Sequence, residues 1–339
     1  MSHYLYYPGC SMESSAAAYR ESLETVLGPL GIRLEEIDDW NCCGATEYVG
    51  ISLLPAYALI ARNLALAARQ ADGTRTLVAA CSACYLNLAK ADHYLQESRT
   101  LAANVNSALG AGGLAYRAGS VTVRHLLEVI ITDVGLDAVR AAVSRPLSGL
   151  RVAPYLGCMV PRPDPDHRWT DHERPRELDL LLAALGAEVV DYPLKTECCG
   201  GHMTQISPAI GFELIRRLIA EATRLGADLM VTVCPMCQMN VDAFQGETNR
   251  HFGTHYRMPI LFYTQLMGLA FGREAREVGI GRELVDARPA LARIGLPVPS
   301  TAAEETPETK AARIEAAHRR RQALPMPPMP GDAREEGPR

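Results

Sequence analysis

The chain has 339 residues, 48% of them hydrophobic and 22% charged, and its formal net charge at pH 7 is -5. A chain of this size can bury a substantial core as two domains or as one duplicated domain, and its charge gives no reason to expect binding to nucleic acid or to an anionic membrane. No signal region opens the sequence, and no apolar run approaches the length of a transmembrane helix. We therefore expect a cytoplasmic protein without a transmembrane segment, in which ten cysteines are metal ligands or redox groups rather than disulfide partners.

Apolar patterning predicts strands that alternate with helices in both halves of the chain. The first half has a strand over 3–7, a helix over 14–27, a strand over 31–37, a helix over 53–70, a strand over 76–80, a helix over 85–96 and a loop over 98–120. The second half has a strand over 151–156, a helix over 177–185, a strand over 187–192, a helix over 208–225, a strand over 229–233 and a further helix after it. Such alternation is typical of parallel sheets. We therefore predict an α/β fold of two pseudo-symmetric repeats, each a small parallel sheet flanked by helices.

This pattern divides the chain into four parts. We predict a first repeat over 1–120, a helical connector over 121–149, a second repeat over 150–278 and a C-terminal extension over 279–339. The end of the extension is rich in Pro, Glu, Ala and Arg and cannot bury enough apolar surface to order itself. We therefore expect the extension to be largely flexible and to end in a disordered tail.

All ten cysteines fall into two sets with the same internal order. Each set has a single cysteine, an adjacent pair followed by glycine, and a Cys-x-x-Cys motif, and corresponding cysteines lie 148 to 156 residues apart. The first set comprises Cys10, Cys42, Cys43, Cys81 and Cys84, and the second comprises Cys158, Cys198, Cys199, Cys234 and Cys237. Asn87 and Asn240 each stand three places after the last cysteine of their set. A near-constant offset at every element indicates an internal duplication.

The cysteines are predicted to lie just past the carboxyl ends of strands, where ligands collect in open α/β sheets. Helices begin there, and the positive ends of their dipoles favour thiolates. Soft thiolates select iron-sulfur clusters, which usually take four cysteines. Five cysteines in each half suggest a larger ligand set, in which an adjacent pair reaches different irons of one cluster. Gly44 and Gly200 would let the backbone approach inorganic sulfide.

The cysteine pattern has three other interpretations. The two Cys-x-x-Cys motifs could form one structural zinc site, but six cysteines would then have no role. Each motif could be a thioredoxin-like redox pair, although the motif occurs twice and lacks the matching proline pattern. A strained disulfide between adjacent cysteines would leave Cys10 and Cys158 unexplained.

The complete cysteine pattern resembles a known family, the heterodisulfide reductase subunits of B type, which contain a duplicated cysteine-rich CCG domain. The pattern is Cys10…Cys42-Cys43-Gly44…Cys81-x-x-Cys84, repeated as Cys158…Cys198-Cys199-Gly200…Cys234-x-x-Cys237. The resemblance covers about residues 3–270. It implies two noncubane [4Fe-4S] clusters, each ligated by the five cysteines of one half, with a substrate disulfide made or cleaved between them.

The same resemblance implies partner proteins. In the family, electrons arrive through a small ferredoxin-like subunit from a flavin-containing subunit. The loop over 161–175, the long tail and the low lysine content, three residues in the chain, argue against a methanogen substrate. We favour the heterodisulfide reductase-like complex of sulfur-oxidising bacteria, which acts with a lipoate-bearing protein. A rival hypothesis is an electron-transfer protein whose clusters relay electrons without binding substrate.

A few further residues are candidates for roles near the cysteines. His202 follows the second pair and could donate a hydrogen bond to a cluster sulfur or a proton to a product thiolate; a packing role is the alternative. Lys195 could tune the charge of the second pair or be solvated. Trp40 is expected to shield the first pair from water.

Overall fold

The computed structural model of the protein describes residues 2–45, 48–162 and 169–296. The predicted disordered tail falls on residues 297–339, which lie outside the described residues. Within the described part the predicted fold class is confirmed: there are two four-stranded sheets, all of their strand pairs are parallel, and helices flank both.

The first repeat builds its sheet in the order β2-β1-β3-β4. The strands are β1 (Ser2–Tyr7), β2 (Ile32–Glu36), β3 (Thr76–Ala79) and β4 (Thr122–His125). The helices are α1 (Ala17–Leu27), α2 (Tyr48–Ile51), α3 (Leu53–Gln70), α4 (Ser82–Glu97) and α5 (Arg99–Gly110), with α6 (Leu126–Val129) and α7 (Leu136–Ala142) after the sheet. A 3-10 turn over Cys10–Glu13 precedes α1, and a π-helical turn over Ile130–Val134 separates α6 from α7.

The second repeat has the same topology, with strand order β6-β5-β7-β8. The strands are β5 (Arg151–Tyr155), β6 (Glu188–Val189), β7 (Leu229–Thr232) and β8 (Ile260–Phe262). The helices are α8 (Glu177–Ala184), α9 (Met203–Ile206), α10 (Pro208–Arg224), α11 (Pro235–Ala243), α12 (Gln245–Phe252), α13 (Tyr263–Ala270) and α14 (Arg288–Leu291). The central strands β5 and β7 are almost wholly buried, as expected of a parallel sheet covered on both faces.

The predicted loop over 98–120 is wrong for its first part, which forms helix α5. The Ser98 side chain accepts the backbone N–H of Leu101 at 3.2 Å and caps the helix. The alanines that suggested a loop are strong helix formers. Irregular structure begins only after Gly110, where the glycines become closely spaced.

The fourth strand of each sheet, β4 and β8, was not predicted. The segment over 121–149, expected to be helical, begins as β4 because Val123 and His125 are buried while Thr122 is exposed, an alternation of period two. Ala79 of β3 pairs with His125, and Thr232 of β7 pairs with Phe262. His125 and Phe262 therefore occupy equivalent positions beside the two Cys-x-x-Cys motifs.

The two repeats share one hydrophobic core, in which helices of one repeat pack against helices of the other. Helix α1 packs against α13 of the second repeat, and α8 packs against α7 of the first. The Tyr19 ring of α1 stacks on Phe262, with centroids 4.3 Å apart and planes 9° from parallel. Trp169 lies parallel to His125 in the corresponding position, 6.2 Å away. These crossed contacts fix one repeat against the other.

The described part of the C-terminal extension packs onto the second repeat. The Asp242 carboxylate accepts the backbone N–H groups of Leu284 and Val285 at 2.8 and 3.0 Å. Ala287 and Ala290 are buried in the shared core. Residues 279–296 therefore belong to the folded unit.

Candidate metal centre

The ten cysteines lie at the carboxyl ends of the strands, as predicted. Cys10 begins the turn after β1, the first adjacent pair follows β2, and Cys81 follows β3 and is the N-cap of α4. In the second repeat Cys234 follows β7 and is the N-cap of α11. The sheet topology therefore gathers cysteines that are distant in sequence.

Contacts between thiols join all ten cysteines into one line that crosses from one repeat to the other. The Sγ atoms of Cys10 and Cys42 are 3.4 Å apart, and those of Cys43 and Cys84 are 3.5 Å apart. The order of thiol-to-thiol contact is Cys10, Cys42, Cys43, Cys84, Cys81, Cys234, Cys237, Cys199, Cys198 and Cys158. The contact between Cys81 and Cys234 lies at its centre, and the two sets run outward from it in mirrored order.

The centre of this line is buried, and its outer parts are accessible. Cys10, Cys42 and Cys198 are exposed and Cys158 is half-buried, whereas the other six cysteines are buried. The line therefore runs from surface to surface through the junction of the two repeats.

Neighbouring thiols perturb one another strongly. Hydrogen bonds with Cys42 and Cys84 lower the pKa of Cys43 to about 3, and hydrogen bonds with Cys158 and Cys199 lower the pKa of Cys198 to about 2. The four partner thiols have raised pKa values, also because burial penalises their charged forms. Some thiolates are thus stabilised at neutral pH, and a thiolate is the form of cysteine that binds metal.

Two glycines lie so close to cysteine sulfurs that a side chain in their place would clash with the sulfur. A Cβ on Gly9 would lie 2.9 Å from the Cys84 Sγ, and a Cβ on Gly157 would lie 3.0 Å from the Cys237 Sγ. The backbone N–H groups of Gly44 and Gly200 donate to the Cys42 and Cys198 sulfurs at 3.4 and 3.3 Å. Five thiols, close backbone approach and N–H donors in each repeat fit an iron-sulfur group better than a single ion. Among the described residues, no three His, Cys, Asp or Glu side chains converge as ligands of one metal ion.

The glycine contact gives a testable prediction. Gly9 has φ 77° and ψ 153°, a region that side chains rarely enter, and Gly135 has nearly the same backbone, φ 81° and ψ 151°, with no atom within 4 Å of an added Cβ. We expect Gly9→Ala and Gly135→Ala each to lower the free energy of unfolding by about 1–3 kcal/mol. Only Gly9→Ala should also lower the iron bound per chain, measured after anaerobic reconstitution. Equal iron contents in the two variants would show that iron binding does not need the space beside Gly9.

Tyrosine side chains hold the adjacent-pair loops in the same way in both repeats. The Tyr7 hydroxyl donates to the Asn41 carbonyl at 2.8 Å, and the Tyr155 hydroxyl donates to the Glu197 carbonyl at 2.9 Å. Asn41 and Glu197 each directly precede a cysteine pair. The loops are therefore tied to the first strands of their sheets.

A second tie runs from the helix that follows each Cys-x-x-Cys motif. The Asn87 amide donates to the carbonyls of Cys43 and Ala45 at 3.2 and 2.5 Å, and the Asn240 amide donates to the Cys199 carbonyl at 2.5 Å. Sequence reasoning used these asparagines only as signs of duplication and did not assign this role. Their repetition at a fixed distance from the cysteines was the signal that could have revealed it.

Tyr19 and His125 lie at the junction of the repeats, and sequence reasoning missed both. The Tyr19 hydroxyl donates to the Ala80 carbonyl at 2.9 Å and contacts the Val233 carbonyl at 3.5 Å; these two residues directly precede Cys81 and Cys234. His125 is fully buried, and burial lowers its pKa to about 4. Nothing in the sequence near either residue marks it, because the fold alone brings them to the cysteines.

The other predicted site residues lie close to the cysteine line in sequence but differ in their surroundings. His202 is half-buried at the start of α9, and its carbonyl accepts the N–H of Gln205 at 2.9 Å. Lys195 forms an ion pair with Asp179 of α8, so its charge is already balanced. The Trp40 ring meets Tyr7 edge to face at 5.5 Å. The roles predicted for His202 and Trp40 stay predictions.

Comparison with known proteins agrees with this geometry. A family model for the cysteine-rich CCG domain matches residues 4–89 and again 152–242. The chain is 33% identical over 284 residues to the 8-methylmenaquinol:fumarate reductase membrane anchor subunit of Wolinella succinogenes, covering 84% of this chain and 97% of that protein. It is 30% identical over 289 residues to the subunit designated B of the ferredoxin/F420H2-dependent CoB-CoM heterodisulfide reductase of Methanosarcina acetivorans, covering 84% of this chain and 95% of that protein.

A solved structure shares the fold as well. A hypothetical protein from Helicobacter pylori superposes with a TM-score of 0.66 at 16% identity, over 84% of this chain and 52% of that one. The fold and the cysteine line thus define a duplicated cysteine-rich protein of the CCG class. The chain belongs to the CCG family and, within it, to the heterodisulfide reductase subunits of B type, which are oxidoreductase proteins. Within the part of the chain that the structure describes, every helix is too short or too polar to cross a membrane.

Proposed function

We propose that this chain is the catalytic iron-sulfur subunit of a heterodisulfide reductase-like complex, in which a disulfide is made or cleaved between two noncubane [4Fe-4S] clusters. Each cluster would be held by the five cysteines of one repeat. The observation that carries the proposal is the mirrored line of ten thiols, whose centre joins Cys81 of one repeat to Cys234 of the other. A disulfide has two sulfurs and takes up two electrons, so a site made of two equivalent halves matches the reaction.

Bound clusters would supply single electrons, one from each half. The chain's own residues provide the frame in which this can happen. Tyr19 fixes the spacing of the two halves through the carbonyls that precede Cys81 and Cys234. The asparagine and tyrosine ties hold the cysteine pairs, and the shared core around the junction excludes water. Because the repeats are fixed against each other, both halves can act on one bond without a large movement.

The partners proposed for the chain are those of its family. A flavin-containing subunit would pass electrons to a ferredoxin-like subunit, which would deliver them to the clusters. The substrate would be a thiol or disulfide, including one on a lipoate-bearing protein of sulfur oxidation. We propose that the complex works in the cytoplasm. The family membership and the accessible cysteines in the outer parts of the thiol line, Cys10 and Cys42 in one repeat and Cys198 in the other, support docking of such carriers.

An electron-relay function is the second candidate, and two observations favour it. The relative in Wolinella succinogenes is by name the membrane anchor subunit of an 8-methylmenaquinol:fumarate reductase, and this name contains a quinol and fumarate rather than a disulfide. The six inner thiols are buried, and neither a cavity of about 220 Å³ beside Ser14 and Phe262 nor one of about 610 Å³ beside Tyr48 and Leu109 is lined by a cysteine. In this function the two clusters would pass electrons from one exposed end of the line to the other.

Iron and acid-labile sulfide, measured on anaerobically purified chain together with EPR after addition of thiol and oxidant, test the proposal. Two [4Fe-4S] clusters correspond to about eight irons and eight sulfides per chain. We expect these contents and an EPR signal that added thiol alters. About eight of each with an EPR signal insensitive to thiol would favour the relay. About four of each would remove the paired-cluster mechanism, and zinc without sulfide would overturn both candidates.

A further inference from the structure

The junction of the two repeats contains a polar group that the functions above do not use. His125 is fully buried, and its Nε2 atom has no hydrogen-bond partner among the described residues. The Ala80 carbonyl, which accepts the Tyr19 hydroxyl, is the backbone acceptor that interacts with the ring, but Nε2 forms no well-aligned hydrogen bond with it. Leaving a buried N–H unpaired is costly, so such groups in native proteins usually meet a bound group or a water. The group that the cysteines would hold is such a partner, because the Cys234 thiol acts on the charge of this ring.

The tautomer of His125 follows from its other nitrogen. The Nδ1 atom accepts the backbone N–H of Leu127 at 3.1 Å and caps helix α6. A neutral imidazole that accepts at Nδ1 carries its proton on Nε2. The unpartnered atom is therefore a hydrogen-bond donor.

The ring of His125 is held in a fixed orientation. Trp169 lies parallel to it, and Tyr85 meets it edge to face at 5.7 Å. The Trp169 indole N–H donates to the Tyr85 hydroxyl at 3.3 Å, which ties the two flanking rings together. The Cys234 thiol of the second repeat is close enough to influence the charge on the His125 ring. His125 thus reaches across the junction from the first repeat toward the second.

The equivalent position in the second repeat has no such donor. Phe262 pairs with Thr232 just as His125 pairs with Ala79, and its ring stacks on Tyr19. The two halves of the site therefore match in their cysteines but differ in this one contact. Hydrogen bonds to the sulfurs of an iron-sulfur cluster stabilise its reduced, more negative form and raise its reduction potential.

We infer that His125 is a positioning residue whose Nε2–H donates to a sulfur at the Cys234 side of the junction and makes the second half of the site easier to reduce than the first. This inference rests on the proposed presence of a cluster in each half. Electrons would settle first on the side that receives the hydrogen bond, so the two sulfurs of an unsymmetrical disulfide would meet unequal partners. The site would therefore accept such a disulfide in one preferred orientation.

Three substitutions in the full-length, reconstituted chain distinguish the role of the Nε2 donor from that of the Nδ1 atom, which caps helix α6. His125→Asn keeps an acceptor near the Nδ1 position and removes the Nε2 donor, His125→Gln keeps an N–H near Nε2, and His125→Phe copies the second repeat. EPR-monitored redox titration should give two midpoint potentials in the unmodified chain. We expect the higher one to fall in His125→Asn and His125→Phe and to stay near its original value in His125→Gln, with the lower one unchanged in all three.

Iron and sulfide are measured on each variant, so that loss of a cluster is distinguished from a shifted potential. Full contents with both potentials unmoved in His125→Asn would overturn the inference and leave the proposed function intact. A chain without two clusters would instead remove the proposed function. ENDOR on the unmodified chain with 15N-labelled histidine does not depend on the folding of a variant. Weak coupling of a histidine nitrogen to a cluster would support the hydrogen-bond donor. Absence of coupling would overturn the inference, and so would strong coupling, which would mean that the nitrogen ligates iron.

Discussion

Replacement of Cys81 by serine is expected to remove the cluster of the first repeat and abolish disulfide reduction. Cys81 is buried and contacts both Cys84 of its own repeat and Cys234 of the other. A serine hydroxyl is a hard ligand and does not replace a soft thiolate on iron. Iron and sulfide should fall from about eight to about four per chain, and two-electron turnover should fall to background rather than to half.

Ser82→Ala is the matched control for this change. Ser82 lies between the two cysteines of the same motif, is 1% exposed, and its hydroxyl has no hydrogen-bond partner among the described residues. Because a neutral hydroxyl is not a cluster ligand, its removal should leave the iron content at about eight per chain, and any loss of activity should be small beside that in Cys81→Ser. If Cys81→Ser retained half of the activity, the two halves would work independently and the shared-site mechanism would be wrong.

The sequence predicted the fold well where local pattern and tertiary role agree. The helix predicted over 53–70 has those bounds in the structure, because its apolar residues recur along one face and its limits are marked by Ser52 and the turn after Gln70. The predictions failed where tertiary pairing decides. Strand β8 has only three residues, and β4 was hidden in a segment whose remainder is helical. Strands this short form because a buried neighbour already offers its hydrogen-bonding edge.

The cysteines of the candidate site were predictable for a different reason. Residue type and spacing alone indicate their chemistry, so the duplication of the cysteine set could be recognised without knowing any contact. The junction could not be predicted in this way. The Tyr19 hydroxyl contacts the carbonyl of Val233, which is 214 residues away in the chain. The Cys234 thiol acts on the charge of His125 only because the two repeats pack together. No local pattern encodes a contact that depends on how two repeats dock.

Replacement of Tyr19 by alanine is expected to cause a large loss of stability. The Tyr19 side chain is fully buried, stacks on Phe262 and meets Tyr263 edge to face at 5.9 Å. Truncating a buried aromatic ring costs about 3–5 kcal/mol, since packing is lost and a cavity remains. The free energy of unfolding, measured by urea denaturation of the cluster-free chain, should fall by about this amount.

Two further variants separate packing from hydrogen bonding at this position. Tyr19→Phe keeps the ring but leaves the Ala80 carbonyl without the Tyr19 hydroxyl, so the cost should be about 0.5–1.5 kcal/mol. Tyr94→Ala removes a ring of the same kind that is 37% exposed, and it should cost less than Tyr19→Ala. A cost for Tyr19→Ala no larger than that for Tyr94→Ala would show that the repeats do not depend on this contact. Because Tyr19 holds the residues before both Cys81 and Cys234, Tyr19→Phe should also weaken iron binding in both repeats together, whereas a cysteine variant affects one.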